Sequence, residues 1–296
     1  MHFKKFFYKD YFTSIELTKP LDKNEFSGIK KDNSSLFNIA NKILTNKELH
    51  IDDYQLLKHS SYANTSFQNI NVTTTYPGLI IGTGYTHETN NEKEFKLGFY
   101  FDHTTGLPCI PGSSIKGVLR SMFPQFNEKH PLKPILFVNQ IQVAKVEFIS
   151  KAMGWQNEID KPLLVHQLEQ VIFEGVDLAN TKTKSDKGKD EIVFNSTYKR
   201  FCFYNGYISS SRDNKIFEID TLTPHGNDQI SNPIPLNFLK IKPNVTFTLQ
   251  ISMHLIEGLV SNIEKLLSLF ALIINTNGIG AKTNVGYGRF DSLIEY

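Results

Sequence analysis

Apolar and polar residues alternate without a break over residues 245–255. Val245, Phe247, Leu249, Ile251, Met253 and Leu255 share one face; Thr246, Thr248, Gln250, Ser252 and His254 share the other. A period of two predicts a strand resting one face on a core. Residues 70–81 are rich in Thr, Val and Tyr and read as another strand, interrupted at Pro77-Gly78. Gly82-Thr83-Gly84 follows as a turn, 90–93 as a polar loop tip and 95–101 as an aromatic strand. After Pro111 the period changes. Ile115, Val118, Leu119 and Met122 stand at i, i+3, i+4 and i+7, the apolar stripe of a helix that Ser113 or Ser114 would cap and Pro124 would end.

Helical spacing recurs around 144–152 and 163–173. Residues 181–191 hold four Lys against three acids and no large apolar side chain, the composition of a mobile loop. Strands are expected at 192–194, 201–208 and 215–222, with a turn at 209–214 and a long proline-containing loop at 223–235. Ser261-Asn262-Ile263-Glu264 is a capping box. It opens a helix whose Ile263, Leu266, Leu267, Phe270, Ile273 and Ile274 form a wide buried face, ending at 275–278 before a last strand at 287–294. Residues 1–68 are polar and broken, with helical faces at 34–44 and 51–59. The expected division is an extension, 1–68, packed on a core domain, 69–296, with an insertion at about 125–195. Strand, helix, strands, helix, strand is the order of an α+β fold of ferredoxin-like type.

At 296 residues the chain can bury a sizeable core. Its longest apolar run, 266–274, falls far short of the ~20 residues of a membrane span. Met1-His2-Phe3-Lys4-Lys5 does not begin a signal peptide, so a cytosolic protein away from membranes is expected. Lys and Arg number 32 against 30 Asp and Glu, a net charge of +2. Nucleic acid, if bound, would therefore meet a local patch or an assembly rather than a wholly basic protein. Cys109 and Cys202 are too few for a disulfide framework or a Cys-rich zinc site and read as small hydrophobes.

Candidate chemistry is concentrated in three segments. Gly278, Gly280, Gly286 and Gly288 fall within eleven residues, with Lys282, Thr283 and Arg289 among them. Glycines permit positive φ and let backbone press against a ligand, and their N–H groups can cradle phosphate. The order here is helix, loop, strand, the reverse of a P-loop or Rossmann loop, which excludes a nucleotide hydrolase of that kind. In the second segment, Pro111-Gly112-Ser113-Ser114, a helix N-terminus offers free N–H donors. Lys116 and Arg120, four apart on the face opposite the apolar stripe, would add two cations for phosphate. The third is Thr223-Pro224-His225-Gly226, where His225 could bind, catalyse or cap a turn. His87, Glu88, His103 and Cys109 lack metal-ligand spacing, so neither metal nor cofactor is expected, and no acid–base pair can be assigned.

Together these segments resemble a known superfamily. Ile110-Pro111-Gly112-Ser113-Ser114-Ile115-Lys116-Gly117-Val118-Leu119-Arg120 and the terminal Gly278-Ile279-Gly280-Ala281-Lys282-Thr283-Asn284-Val285-Gly286-Tyr287-Gly288-Arg289-Phe290 look like the RAMP proteins of CRISPR systems. Asp220-Thr221-Leu222-Thr223-Pro224-His225, the later Asn232-Pro233-Ile234-Pro235-Leu236 and Gly82-Thr83-Gly84 with His87 are similar to the sixth-subunit family of the Cmr (type III-B) effector. Phe203-Tyr204-Asn205-Gly206-Tyr207-Ile208 departs from the family pattern, with Asn in place of Asp and Ile in place of Pro; Asn205-Gly206 could instead be a tight hairpin turn. Gly226 stands where an aromatic is usual.

The resemblance implies a modified ferredoxin-like (RRM-like) fold. It implies a non-catalytic RNA-binding subunit that caps the 3′ end of the guide RNA in a ribonucleoprotein. The implied partners are guide RNA, complementary target RNA, and the backbone RAMP subunit, small subunit and first subunit of the complex. Ser113, Ser114, Lys116, Arg120, His225, Gly278, Gly280, Lys282, Thr283, Gly286 and Arg289 would contact RNA. The alternative within the superfamily is an endoribonuclease that processes guide precursors, with His225 as base and Lys282 stabilising the charged phosphorane.

Overall fold

The computed structural model describes residues 66–82, 100–103, 105–128, 135–136, 139–176, 178, 182–186, 189–193, 201–222, 235–253, 259–260 and 262–293, with Lys42, Thr45 and Asn46. The first half holds β1 (Ser66–Thr74), β2 (Cys109–Ile110), α1 (Gly112–Ser121), β3 (Phe126–Glu128), β4 (Ile135–Leu136), α2 (Gln140–Met153) and α3 (Lys161–Glu169), which runs into a π-helical turn, Gln170–Glu174. The second half holds β5 (Lys182–Asp186), β6 (Lys189–Val193), β7 (Cys202–Phe203), β8 (Gly206–Ser211), β9 (Phe217–Leu222), β10 (Leu236–Ile241), β11 (Val245–Met253), α4 (Ile263–Asn277), a 3-10 turn (Thr283–Val285) and β12 (Phe290–Leu293).

The period-two run becomes β11, the strand around which the main sheet is built. The antiparallel order is β12-β1-β11-β8-β2, and β7 pairs with β11 as well. Ile70 lies opposite Leu249 and Val72 opposite Phe247, all four fully buried. Between them, Asn71 accepts a 2.8 Å hydrogen bond from the Thr248 hydroxyl, and Thr73 meets Thr246 at 2.9 Å. One face of the sheet is thus apolar and the other polar, as alternation requires. Ile115 and Leu119 of α1, and Leu266, Phe270, Ile273 and Ile274 of α4, join the apolar face in one core. Val146 and Ile149 of α2 and Val165 and Leu168 of α3 belong to that same core, so the segment expected as an insertion shares it. The result is a mixed α+β fold. Among the described residues no helix is long and apolar enough to cross a membrane.

Several local expectations change. Asn205-Gly206 makes no hairpin, because β7 and β8 pair one after the other with β11 rather than with each other. Asn205 serves instead as a fastening: its Oδ1 accepts from the Gly112 N–H at 3.0 Å. The cap of α4 is Asn262, one residue beyond the expected start, and its Oδ1 accepts from the Glu264 N–H at 2.7 Å. Residues 181–191, expected as a loop, contain most of an antiparallel hairpin, β5 with β6. No core-facing alternation marks it in sequence, because the pairing is carried by the backbone. Residues 236–241 were not expected as a strand, yet β10 pairs along its length with β9. The last strand starts at Phe290, three residues late, because Gly286 and Gly288 at positive φ hold the chain in a turn. All but Lys42 of the expected helix at 34–44, the helix at 51–59, most of the strand at 95–101 and the tip at 90–93 lie outside the described residues.

Candidate nucleic-acid interface

The glycine-rich segment is a loop folded on its own backbone. Ile279 N–H donates to the Gly288 carbonyl at 2.9 Å, Ala281 N–H to that of Ile80 at 3.0 Å, and Gly288 N–H to that of Gly78 at 2.8 Å. Gly278, Gly280, Gly286 and Gly288 all have positive φ. Two positions show why glycine is needed: a Cβ at Gly288 would lie 1.9 Å from the Ile279 carbonyl oxygen, and one at Gly280 would lie 2.5 Å from that of Ile80. The close approach is therefore to the chain itself. Arg289 donates to the carbonyls of Thr276 and Thr283 and clips the loop across the end of α4. Lys282 is different. It is exposed, takes a left-handed conformation with φ 59°, and heads the 3-10 turn. The N–H groups of Lys282, Thr283 and Asn284 have no hydrogen-bond partner among the described residues.

At α1 the backbone, not a serine hydroxyl, makes the cap. Pro111 enters the helix directly, and its carbonyl accepts from the N–H groups of Ser114 and Ile115 at 2.9 and 3.1 Å. Ser113 is exposed and Ser114 half-buried. The two cations expected to contact phosphate are half-buried and engaged within the molecule. Lys116 Nζ donates to the Phe173 carbonyl at 3.0 Å. Arg120 pairs with Glu169 at 3.2 Å and Glu174 at 2.5 Å, and its guanidinium lies 5.8 Å from the Phe173 ring centre. Burial opposes the charge on Arg120, but the two glutamates outweigh it and raise its pKa. These partners all sit at the end of α3 and on the π turn, 49 to 57 residues away in sequence, where no local pattern could reveal them.

The two motifs share one cleft of about 380 Å³. Leu79 and Ile81 line its floor, Ser114 and Val118 of α1 one wall, and Gly280 and Ala281 of the loop another. His225 lies outside the described residues.

A buried ionic cluster, missed in the sequence, holds the loop from its other side. Lys240 of β10 is only 5% exposed, and its ammonium pairs with Asp220 at 2.8 Å and Glu218 at 3.2 Å, both on β9. The Tyr287 hydroxyl donates to the same Asp220 oxygen at 2.7 Å, and the Lys240 nitrogen sits 5.9 Å from the Tyr287 ring centre. Around them Ile80, Phe238 and Tyr287 form a small second core, with Ala281 against it. The readable signal was the opposite charge at facing positions, since Lys240 is directly across from Glu218. Burial pushes the Asp220 carboxyl up, but the hydrogen bonds from Lys240 and Tyr287 more than offset this and hold it below the usual carboxylate value. Its contribution to stability is therefore present above the unfolded-state pKa and is lost as pH falls through the folded one. An Asp220→Asn variant should accordingly lose less stability than the parent on acidification below about pH 4, measured by denaturant midpoints. Equal acid sensitivity would show that other carboxylates control the acid limb.

Among the described residues no group of three or more His, Cys, Asp or Glu side chains is placed to hold a metal ion. Residues 71–291 match the model of the RAMP superfamily. A curated relative, the CRISPR system Cmr subunit Cmr6 of Pyrococcus furiosus, is 27% identical over 241 residues, covering 74% of this chain and 65% of the relative. The chain thus spans just under two thirds of that relative's length. Among solved structures, the cryo-EM structure of the Type III-B Cmr-beta bound to cognate target RNA contains a similar chain. It has a TM-score of 0.51 at 22% identity, over 93% of this chain and 77% of that one. The match covers the main sheet, α1, α4 and the glycine loop alike, and it follows that the chain belongs to the RAMP superfamily.

Proposed function

We propose that this chain is a non-catalytic RNA-binding subunit of a type III-B CRISPR (Cmr) effector ribonucleoprotein in antiviral defence, and that it caps the 3′ end of the guide RNA. One observation carries the reading: the two RAMP-like segments, far apart in sequence, meet at one cleft, and the loop forming its wall presents Lys282 with N–H donors that the described residues leave unpartnered. Phosphate is what such donors fit. The kinship to a Cmr6 subunit and to a chain of a complex bound to target RNA supports guide RNA, complementary target RNA and the other Cmr subunits as partners. The order β12-β1-β11-β8, with α1 and α4 following the first and third strands in sequence, supports a ferredoxin-like (RRM-like) core. The proposed division is an extension, 1–68, packed on a domain, 69–296, with an insertion at about 125–195; β1 starts three residues before that boundary.

In this reading the guide supplies sequence and the protein holds backbone. Lys282, rather than the internally paired Lys116, Arg120 or Arg289, is the cation in contact with phosphate. Lys282→Ala should weaken RNA binding about equally for unrelated sequences. It should flatten the slope of log affinity against log salt by roughly one unit, with the melting temperature intact. Titrations of the full chain and of the reconstituted complex measure both. Unchanged affinity and slope would remove the loop from the RNA face. Metal-independent cutting of repeat RNA that is lost in His225→Ala would favour the endoribonuclease instead.

A further inference from the structure

Tyr76 is 84% exposed. It stands in the turn between β1 and the Leu79–Gly82 floor of the cleft, and that turn is bound tightly on both sides. Toward the glycine loop, Gly288 N–H donates to the Gly78 carbonyl at 2.8 Å, and Thr75 donates to the Arg289 carbonyl through its N–H at 3.0 Å and its hydroxyl at 3.1 Å. A Cβ on Gly286 would lie 3.3 Å from Pro77 Cδ, so the turn and the loop are in contact. Toward β10, Leu79 and Ile241 exchange N–H···O bonds of 2.9 and 2.8 Å. The Tyr76 hydroxyl is close enough to Tyr287 to add to the upward push on that phenol, behind burial and Asp220. Val285, 62% exposed, and exposed Lys282 and Asn284 immediately precede Gly286 in that loop.

Resting on the RNA-binding reading, we infer that Tyr76 is a stacking platform for an unpaired nucleobase, set beside the Lys282 phosphate site. An aromatic on a fastened turn has only two side-chain torsions to fix on binding and offers a face that any base can use. A protein partner could also cover an exposed tyrosine. The adjacent Lys282, Thr283 and Asn284 N–H donors favour a ligand that carries a phosphate next to each aromatic ring, and that describes a single-stranded nucleotide. The base contact then belongs to the turn and the phosphate contact to the loop, the two segments meeting at Pro77 and Gly286.

The test uses the full chain and fluorescein-labelled probes of equal length: oligoadenylate, oligouridylate, and an oligomer of abasic ribose phosphates. Tyr76→Ala should weaken oligoadenylate binding by about 5- to 50-fold, affect the weaker-stacking oligouridylate less, and leave the abasic oligomer unchanged. Tyr76→Phe should bind like the parent, and the salt slope should stay constant in both variants because no phosphate contact is removed. Lys282→Ala gives the complementary result: loss on all three probes and a flatter slope. If Lys282→Ala weakens binding while Tyr76→Ala does not, the stacking inference fails and the RNA reading stands. If Tyr76→Ala leaves RNA affinity intact but abolishes association with other subunits of the complex, the site is a protein contact and the inference is overturned. If the parent binds none of the probes, alone or in the complex, both readings fall together.

Discussion

Gly288→Ala should be among the most damaging single substitutions in the molecule, lowering stability by roughly 3 kcal/mol or more. The new methyl would meet the Ile279 carbonyl oxygen at 1.9 Å, a backbone atom that cannot rotate away. Gly288 also holds φ 64° and donates its N–H to Gly78, so moving it breaks the link between the loop and the turn that precedes the cleft. Gly117→Ala supplies the contrast. It lies inside α1 with nothing within 4 Å of a built Cβ. Alanine there should stabilise by roughly 0.5–1 kcal/mol through helix propensity. Chemical denaturation of both variants, with RNA binding in parallel, checks the pair. A Gly288→Ala protein as stable as the parent would mean the loop can rearrange freely and does not fix the cleft.

The second large effect is expected at the Lys240 cluster. Asp220→Ala removes the closer of the two carboxylates from an ammonium that is almost wholly buried, and it also leaves the Tyr287 hydroxyl without its acceptor. Removing one partner of a buried pair costs about 3–5 kcal/mol. The lower end applies here, because Glu218 remains 3.2 Å from Lys240. Lys240→Met should do far less harm, within about 1 kcal/mol, since it fills the same space and leaves Asp220 the Tyr287 bond. Equal losses from the two substitutions, in matched denaturant titrations, would show that the pair contributes net stability beyond avoiding a stranded charge.

The parts of the fold legible in sequence were those with one buried face. β11 and α4 announced themselves because a single side meets the core, so burial wrote a clean period into the chain. β10 did not: Phe238, Leu239, Lys240 and Ile241 are all buried, which erases alternation and hides a lysine among apolar residues. The glycine loop was legible as a place of unusual backbone, and all four glycines have positive φ. Its ligand side was less so. Lys282, Arg289, Lys116 and Arg120 look alike in sequence, yet only their partners in the finished fold separate the exposed lysine from the three internal cations. Tyr76 carried no signal beyond its neighbours Pro77 and Gly78, because exposure is a property of the finished fold.

Asn205 gives the cleft an asymmetry of another kind. The wall built by α1 is fastened to the sheet by an amide, which accepts from Gly112 and is hydrogen-bonded to the Tyr207 hydroxyl. An amide does not titrate. The opposite wall, the glycine loop, is fastened to the β9–β10 hairpin through a carboxylate that does. Acid therefore loosens one jaw of the cleft while the other keeps its grip. Because that carboxyl is held below its ordinary value, it takes acid below about pH 4 to unlatch the loop from the hairpin with the helix wall still seated.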